Sequence, residues 1–123
     1  MKLSHNIDLG AKRATAAQKI DAAFEKKARA IDPVPTLHAA KARQAHFAFL
    51  SPANAAQSPT LVAEAAVRGM ALDALCTLIF AKDDAVQHEL VALEDQRQQA
   101  QEHLTTLQSE QSIAAHAATV QAS

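Results

Sequence analysis

The side chains in this sequence that could bind a metal are six histidines and one cysteine. A zinc or di-iron site needs ligands that converge from one face, for example paired histidines or a Glu-x-x-His step on a helix. No two histidines stand four residues apart, and alanines occupy the positions three before His88 and His103. We therefore expect no metal site, and a role in surface or interface polarity for all six. The histidines are His5, His38, His46, His88, His103 and His116.

Residues suited to covalent or acid–base catalysis are present but do not form a recognisable set. Cys76 falls at an inward position of a helix, where a thiol is usually buried and inert. The pairs Asp83-Asp84 and Glu94-Asp95 are adjacent, so their side chains diverge by about 100° on a helix. Composition does not exclude a Ser/His/Asp or Cys/His triad, and two glycines leave no Gly-rich phosphate loop. We predict no enzyme, no catalytic residues, no cofactor and no small-molecule substrate.

The element that organises the chain is a long helix over residues 72–108, without Gly or Pro. Apolar residues recur at every seventh position, and a second series follows each of them by four. The pattern fits either a bundle helix that packs on its own chain or a helix that also meets another chain. On the second interpretation, the interface residues are Leu72, Cys76, Ile79, Val86, Leu90, Leu93, Arg97, Leu104 and Leu107.

The two series together form a seam along one side of the helix, and the second series contains two charged residues, Asp83 and Arg97. In a parallel two-stranded coiled coil each would face its own copy, which is unfavourable. They therefore weaken the dimeric coiled coil or require an internal partner. Lys12, Arg13 or Lys19 could provide that partner for Asp83, and the sequence does not choose among them.

The composition predicts an all-α protein with a modest core. Hydrophobic residues make up 49% of the 123 residues, but half of them are alanine and only four are aromatic. Such a chain suits closely packed or coiled helices, and two glycines with four prolines are too few for the turns of an all-β fold. A single cysteine forms no disulfide within one chain. We find neither a signal peptide nor a stretch of about 18 apolar residues that would span a membrane.

Helix-breaking residues predict four segments. Residues 1–10 are expected to be an extended arm that ends at Gly10, and residues 11–50 a helical hairpin interrupted by Asp32-Pro33. Residues 51–58 are a linker, and residues 59–123 a short helix, a corner and the long helix. The predicted fold is thus an N-terminal helical hairpin, a short helix and one long C-terminal helix with a coiled-coil-like seam.

Local signals refine the ends of these helices. Thr36 and Ser58 are expected N-caps, and Gly69 the left-handed residue that ends the short helix. Residues 109–123 either prolong the long helix or fray.

Charge is distributed unevenly between the halves. Residues 1–50 hold nine basic and four acidic residues, whereas residues 51–123 hold three basic and nine acidic residues. An alternative function is therefore a small regulator that binds nucleic acid through basic side chains of the first helix. A helix-turn-helix spacing of Ala65, Gly69 and Leu75 is also present, but the following residues 71–77 carry no Arg or Lys, so we reject DNA reading there. The basic set is Lys12, Arg13, Lys19, Lys26, Lys27 and Arg29.

Residues 19–47 and 59–107 resemble a group of small helical proteins encoded in the tail-gene regions of tailed bacteriophages and prophages. The resemblance follows an order of helical hairpin, Ala-Arg-Gly corner, helix with an Ala-Lys step and Gln/Arg-rich ending. Relatives often have a Trp in the linker before the second helix, and this sequence has none. The matching segments are Lys19–Glu25, Lys41–Ala45, Pro59–Gly69, Leu72–Leu75, Ile79–Lys82 and Leu93–Gln98.

The resemblance implies a non-enzymatic structural or assembly protein associated with the phage tail fibre or tail tip. Its partners would be further copies of itself, phage tail proteins, or both. It would be located in the virion or, during assembly, in the host cytoplasm. Nucleic acid and membranes are not expected as partners.

Overall fold

A computed structural model describes the backbone of residues 2–123 and the side chains from residue 9 onward. Over this part of the chain the protein is all-α, which confirms the predicted fold class, and no strand is present. The six helices of the described residues are α1 (Lys2–Ile31), α2 (Pro35–Phe49), α3 (Pro52–Ala56), α4 (Pro59–Arg68), α5 (Leu72–Thr106) and α6 (Glu110–Ala122).

The contacts between residues divide the chain into two compact units. The terminal unit comprises the chain up to Ile31 together with Leu90–Ser123, and the central unit comprises Asp32–Glu89. Helix α5 contributes its first half to the central unit and its second half to the terminal unit. Each unit has a hydrophobic core of its own.

The core of the terminal unit forms where α1, α6 and the second half of α5 pack together. Ile20 and Ile113 are fully enclosed, and Phe24 and Leu104 lie beside them. Small residues allow the backbones of α1 and α6 to approach closely along their length. The remaining buried members of this core are Leu9, Ala16, Ala117 and Val120.

The end of α5 is stabilised by side chains. The Arg13 guanidinium donates a hydrogen bond to the main-chain carbonyl of Leu107 at 2.6 Å, just beyond the helix. A cation at this position satisfies an unpaired carbonyl and complements the negative end of the helix dipole. Ser109 then accepts a hydrogen bond from the Ser112 N–H at 3.1 Å and so caps the N-terminus of α6.

The central unit is built from α2, α3, α4 and the first half of α5. Leu61, Leu75 and Cys76 are its most enclosed side chains, and alanines of α2 pack against them. Gly69 ends α4 with a φ of +67°, and the N–H of Met70 reaches back to the carbonyl of Ala65 at 3.0 Å. A left-handed residue at this position lets the chain turn directly into α5.

Several predicted boundaries are corrected by the structure. Met1 lies outside the described residues. Residues 2–10 belong to α1 and do not form an extended arm. Gly10, which was expected to end that arm, lies inside the helix. The predicted hairpin over residues 11–50 is not a unit, since α1 belongs to the terminal unit and α2 to the central one. The short link between them fixes their order but not which helices pack together.

The remaining corrections concern the linker and the C-terminus. The linker of residues 51–58 contains α3, whose N-cap Ser51 accepts the N–H of Asn54 at 3.1 Å. Pro35 opens α2 ahead of the expected cap Thr36, and Ser58 stands at the N-cap position of α4 without a side-chain cap hydrogen bond. The C-terminal segment neither prolongs α5 nor frays, because it forms the separate helix α6.

Candidate interaction surfaces

All nine predicted interface residues of the long helix are at least half-buried, and three are buried by the chain itself. Cys76 and Ile79 lie in the core of the central unit, and Leu104 lies in the core of the terminal unit. These three side chains have an internal packing role. The other six retain partial exposure: Leu72, Val86, Leu90, Leu93, Arg97 and Leu107.

Both charged members of the seam have partners within their own unit. Asp83 Oδ1 lies 2.6 Å from His38 Nε2 in the central unit, so the partner is His38 and not Lys12, Arg13 or Lys19. The structure thus supports the requirement for an internal partner while correcting its identity.

Arg97 is held in the terminal unit by two carboxylates. It donates to Asp21 Oδ1 at 3.1 Å and, through Nε and Nη2, to both carboxylate oxygens of Glu94 at 2.8 and 2.7 Å. These hydrogen bonds lower the pKa of Glu94 to about 2 and raise the pKa of Arg97 above its ordinary value. The guanidinium is therefore satisfied without a second chain.

A shallow groove of about 470 Å³ lies beside this ion pair in the terminal unit. Phe24, Ala28, Leu90 and Leu93 form its apolar wall, and the carboxylates of the ion pair stand at its edge. It includes three of the predicted interface residues, Leu90, Leu93 and Arg97.

A more apolar surface lies at the C-terminal end of α2 in the central unit, which we call the α2 apolar end and define as Phe47, Phe49 and Leu50. Leu50 is 78% exposed and Phe49 is 54% exposed. Phe49 meets the ring of Phe80 edge-on, with 5.4 Å between centroids. Large apolar side chains that remain exposed together on a soluble domain commonly mark a protein contact.

The α2 apolar end stands on the rim of a groove of about 500 Å³. Phe49 and Leu50 form one side, Pro52 and Ala55 of α3 continue it, and Leu72 lies on α5. The groove also reaches the buried thiol of Cys76. Sequence periodicity could not identify this surface, because α2 keeps only alanines on its buried side and directs its aromatic residues outward.

The thiol of Cys76 is unsuited to catalysis or metal binding. Burial raises its pKa above the ordinary value, and the nearby Asp73 raises it further. Among the described residues, no three His, Cys, Asp or Glu side chains are placed to hold a metal ion. Three of the histidines make ring contacts instead: His46 stacks on Phe80 with 4.3 Å between centroids, and His103 meets His116 edge-on with 4.7 Å between centroids.

The basic side chains proposed for nucleic acid are largely engaged within the terminal unit. Arg13 bonds to the end of α5, Lys12 pairs with Glu110 at 3.3 Å, and Arg29 pairs with Glu25 at 3.1 Å. Lys27 donates to Ser123 Oγ at 3.0 Å and lies over the Phe24 ring. These contacts reduce the positive charge available for phosphate groups.

A cluster of charges that the sequence analysis did not identify lies in the central unit. Lys41 Nζ of α2 donates to Glu64 Oε1 of α4 at 2.6 Å, and Arg68 Nε lies 3.8 Å from Glu64 Oε2. Lys82 of α5 joins them around a cavity of about 170 Å³. Only the Glu64–Arg68 pair, four residues apart on one helix, leaves a signal in the sequence.

No helix of the described residues has both the length and the apolar character needed to cross a membrane. Comparisons with protein-family models, curated proteins and solved structures find no match to this chain.

Proposed function

We propose that this protein is a non-enzymatic assembly protein that acts by packing its helices against another protein subunit. We further propose that it serves at the tail of a bacteriophage, as the sequence resemblance implies, where it assembles with itself and with tail fibre or tail-tip proteins. The single observation that carries the assembly role is the exposed α2 apolar end beside its apolar groove.

The geometry of this surface favours a second copy of the chain as the first partner. Leu50 projects from the rim while the groove beside it is lined by Ala55 and Leu72, so a protruding side chain and a receiving groove lie next to each other. A twofold axis through such a surface lets each copy insert Leu50 into the groove of the other. Most of the favourable free energy of association would come from removing the exposed side chains of Phe49 and Leu50 from water.

The contact differs from the one that the seam of α5 suggests. Cys76, Ile79 and Leu104 are already covered by their own chain, so they gain nothing from a partner. The residues that remain to be covered are mainly on the outside of the central unit. Assembly would therefore leave both hydrophobic cores intact.

The experiment is sedimentation or light scattering over a wide range of concentrations, with wild type and the variants Leu50→Ser and Phe49→Ser. We expect wild type to self-associate and both variants to remain monomeric at the same concentrations. Val91→Ser is the matched control, because Val91 is 69% exposed but belongs to the terminal unit. A wild-type protein that stays monomeric throughout, or a control that dissociates as readily as the variants, would contradict this surface.

The tail-associated role is tested separately by mass spectrometry of purified phage particles and of tail-assembly intermediates from the host. Presence in either at a fixed ratio to a tail protein supports the role. Absence from both contradicts it and leaves self-association to be judged by the solution experiment.

A further inference from the structure

Three cationic side chains from three different helices meet around one carboxylate in the central unit. Lys41 comes from α2, Arg68 from α4 and Lys82 from α5, and the carboxylate is Glu64. Lys41 donates a hydrogen bond to Glu64 Oε1 at 2.6 Å, while Arg68 Nε stands 3.8 Å from Oε2. Lys82 forms no ion pair with any described residue, so one negative charge faces three positive ones.

The cavity among these groups has the size and walls of a small-ion site. It encloses about 170 Å³, and Leu75, Leu78 and Ile79 form its apolar side. Apolar walls exclude water from one side and so strengthen the field of the cations within the cavity. The neighbouring Asp83 does not line the cavity, and it is hydrogen-bonded at 2.6 Å to His38, which does.

Glu64 adds a second requirement to any ligand. Its Oε2 is buried and accepts no hydrogen bond in the structure, while Oε1 is satisfied by Lys41. A buried acceptor without a donor is costly, so a ligand that brings a hydroxyl or N–H to Oε2 gains more than one that does not. The ions around Glu64 also lower its pKa, chiefly through the Lys41 hydrogen bond, so it is ionised at neutral pH.

We propose that this cavity binds a phosphate group that still carries a proton. The phosphate oxygens pair with Arg68 and Lys82, for which a compact oxyanion is a favourable partner. The phosphate O–H donates to Glu64 Oε2, and Lys41 keeps the carboxylate in place. Sulfate has the same size and negative charge but no proton at neutral pH, so it cannot make the last contact. This site is independent of the proposed assembly role.

The test is an NMR titration with inorganic phosphate and with sulfate at constant ionic strength, following residues of α2, α4 and α5. We expect saturable shifts confined to the cavity, and phosphate to bind about tenfold more tightly than sulfate, the discrimination expected from one charged hydrogen bond. Glycerol 3-phosphate serves as a third titrant. At about pH 8 its phosphate has lost both protons, so we expect it to bind more weakly than inorganic phosphate, and equal or tighter binding would contradict the proton contact to Glu64.

Three variants distinguish specific phosphate binding in the cavity from a general effect of the protein's positive charge. Lys82→Gln removes a cation that holds no structural ion pair, and we expect it to weaken phosphate binding severalfold. Lys19→Gln is its control, because Lys19 is an exposed lysine of the terminal unit. Glu64→Gln should reduce the preference for phosphate over sulfate, since the amide can donate to sulfate as well.

The proposal is overturned if phosphate produces no saturable shifts in the central unit, or if Lys82→Gln and Lys19→Gln weaken binding equally. Equal affinity of wild type for phosphate and sulfate would also overturn it, because the role given to Glu64 requires a difference. The circular dichroism spectrum of each variant is the control for retained helices, and a variant counts only if its spectrum matches that of wild type.

Discussion

The terminal and central units each bury one apolar face of their helices, but they differ in how many large apolar side chains they leave exposed. Of the large hydrophobic side chains that the structure describes as exposed, only Val91 belongs to the terminal unit. The other seven belong to the central unit, where short helices leave aromatic and branched side chains outside. They are Val34, Leu37, Phe47, Phe49, Leu50, Val62 and Val67.

The ion pairs and polar pairs of the two units differ in how far their side chains are exposed. In the terminal unit the ion pairs lie on an exposed surface, as between Lys12 and Glu110. In the central unit the His38–Asp83 and Lys41–Glu64 pairs are less exposed. Exposed pairs are screened by salt and contribute little to stability. The central unit thus holds most of the exposed large apolar side chains and also the less exposed polar pairs.

The largest expected effect comes from a cavity in either core. Ile20→Ala in the terminal unit and Leu75→Ala in the central unit each remove a side chain with no exposed area. Each should lower the free energy of unfolding by about 2–5 kcal/mol. If the two units open separately, hydrogen exchange should accelerate within the unit that carries the substitution and less in the other.

Val91→Ala is the control for both core variants. Val91 is 69% exposed, so its truncation should change stability by less than about 0.5 kcal/mol. Equal acceleration of exchange throughout the chain by both core variants would show that the protein opens as one cooperative body. The continuous helix α5 is the element through which such coupling would pass.

The sequence was informative where a pattern depends on the local chain and less so where it depends on distant packing. The seven-residue pattern of α5 identified inward residues such as Ile79 and Leu104, because the geometry of a helix decides which side chains share a face. The pattern did not identify what covers them. Leu104 is covered partly by Ile113 and Ala117 of α6, and the composition of that segment gave no indication that it would fold back.

The candidate sites show the same limit more strongly. Gly69 could be placed at the end of α4 from its residue type alone, since a left-handed position favours glycine. The cluster of Lys41, Glu64 and Lys82 could not be predicted from the sequence. Its members lie on three helices, and no spacing of charged residues in a sequence shows that they come together in the fold. The exposed end of α2 was also missed, because a helix whose inner face is alanine places its large residues outside.

An intermediate effect is expected from the two glycines, one in each unit, which should respond in opposite directions to alanine. At Gly69 the φ of +67° strains any side chain, so Gly69→Ala should destabilise by roughly 1–2 kcal/mol. At Gly10, inside α1, a Cβ would meet nothing within 4 Å, so Gly10→Ala should stabilise by about 0.5–1 kcal/mol. Urea unfolding measures both. Effects of the same sign would contradict the difference in backbone conformation.

The smallest effect concerns the exposed ion pair of the terminal unit and its dependence on pH. Arg97 hydrogen bonds favour the ionised form of Glu94 and lower its pKa from 4.5 to about 2. A lowered pKa in the folded state means that the stabilisation is complete above about pH 4.5 and is lost as the pH falls towards 2. Glu94→Gln should therefore flatten the dependence of stability on pH within this window.

The direct measurement is an NMR titration of the Glu94 carboxyl group in wild type and in Arg97→Gln. We expect a midpoint near 2 in wild type and a shift towards 4.5 in the variant, because the first cause of the lowered pKa is the hydrogen bond from Arg97. A wild-type midpoint already near 4.5 would mean that the ion pair opens readily in solution. In that case this ion pair would contribute little to the stability of the terminal unit, and the contrast with the less exposed polar pairs of the central unit would become sharper.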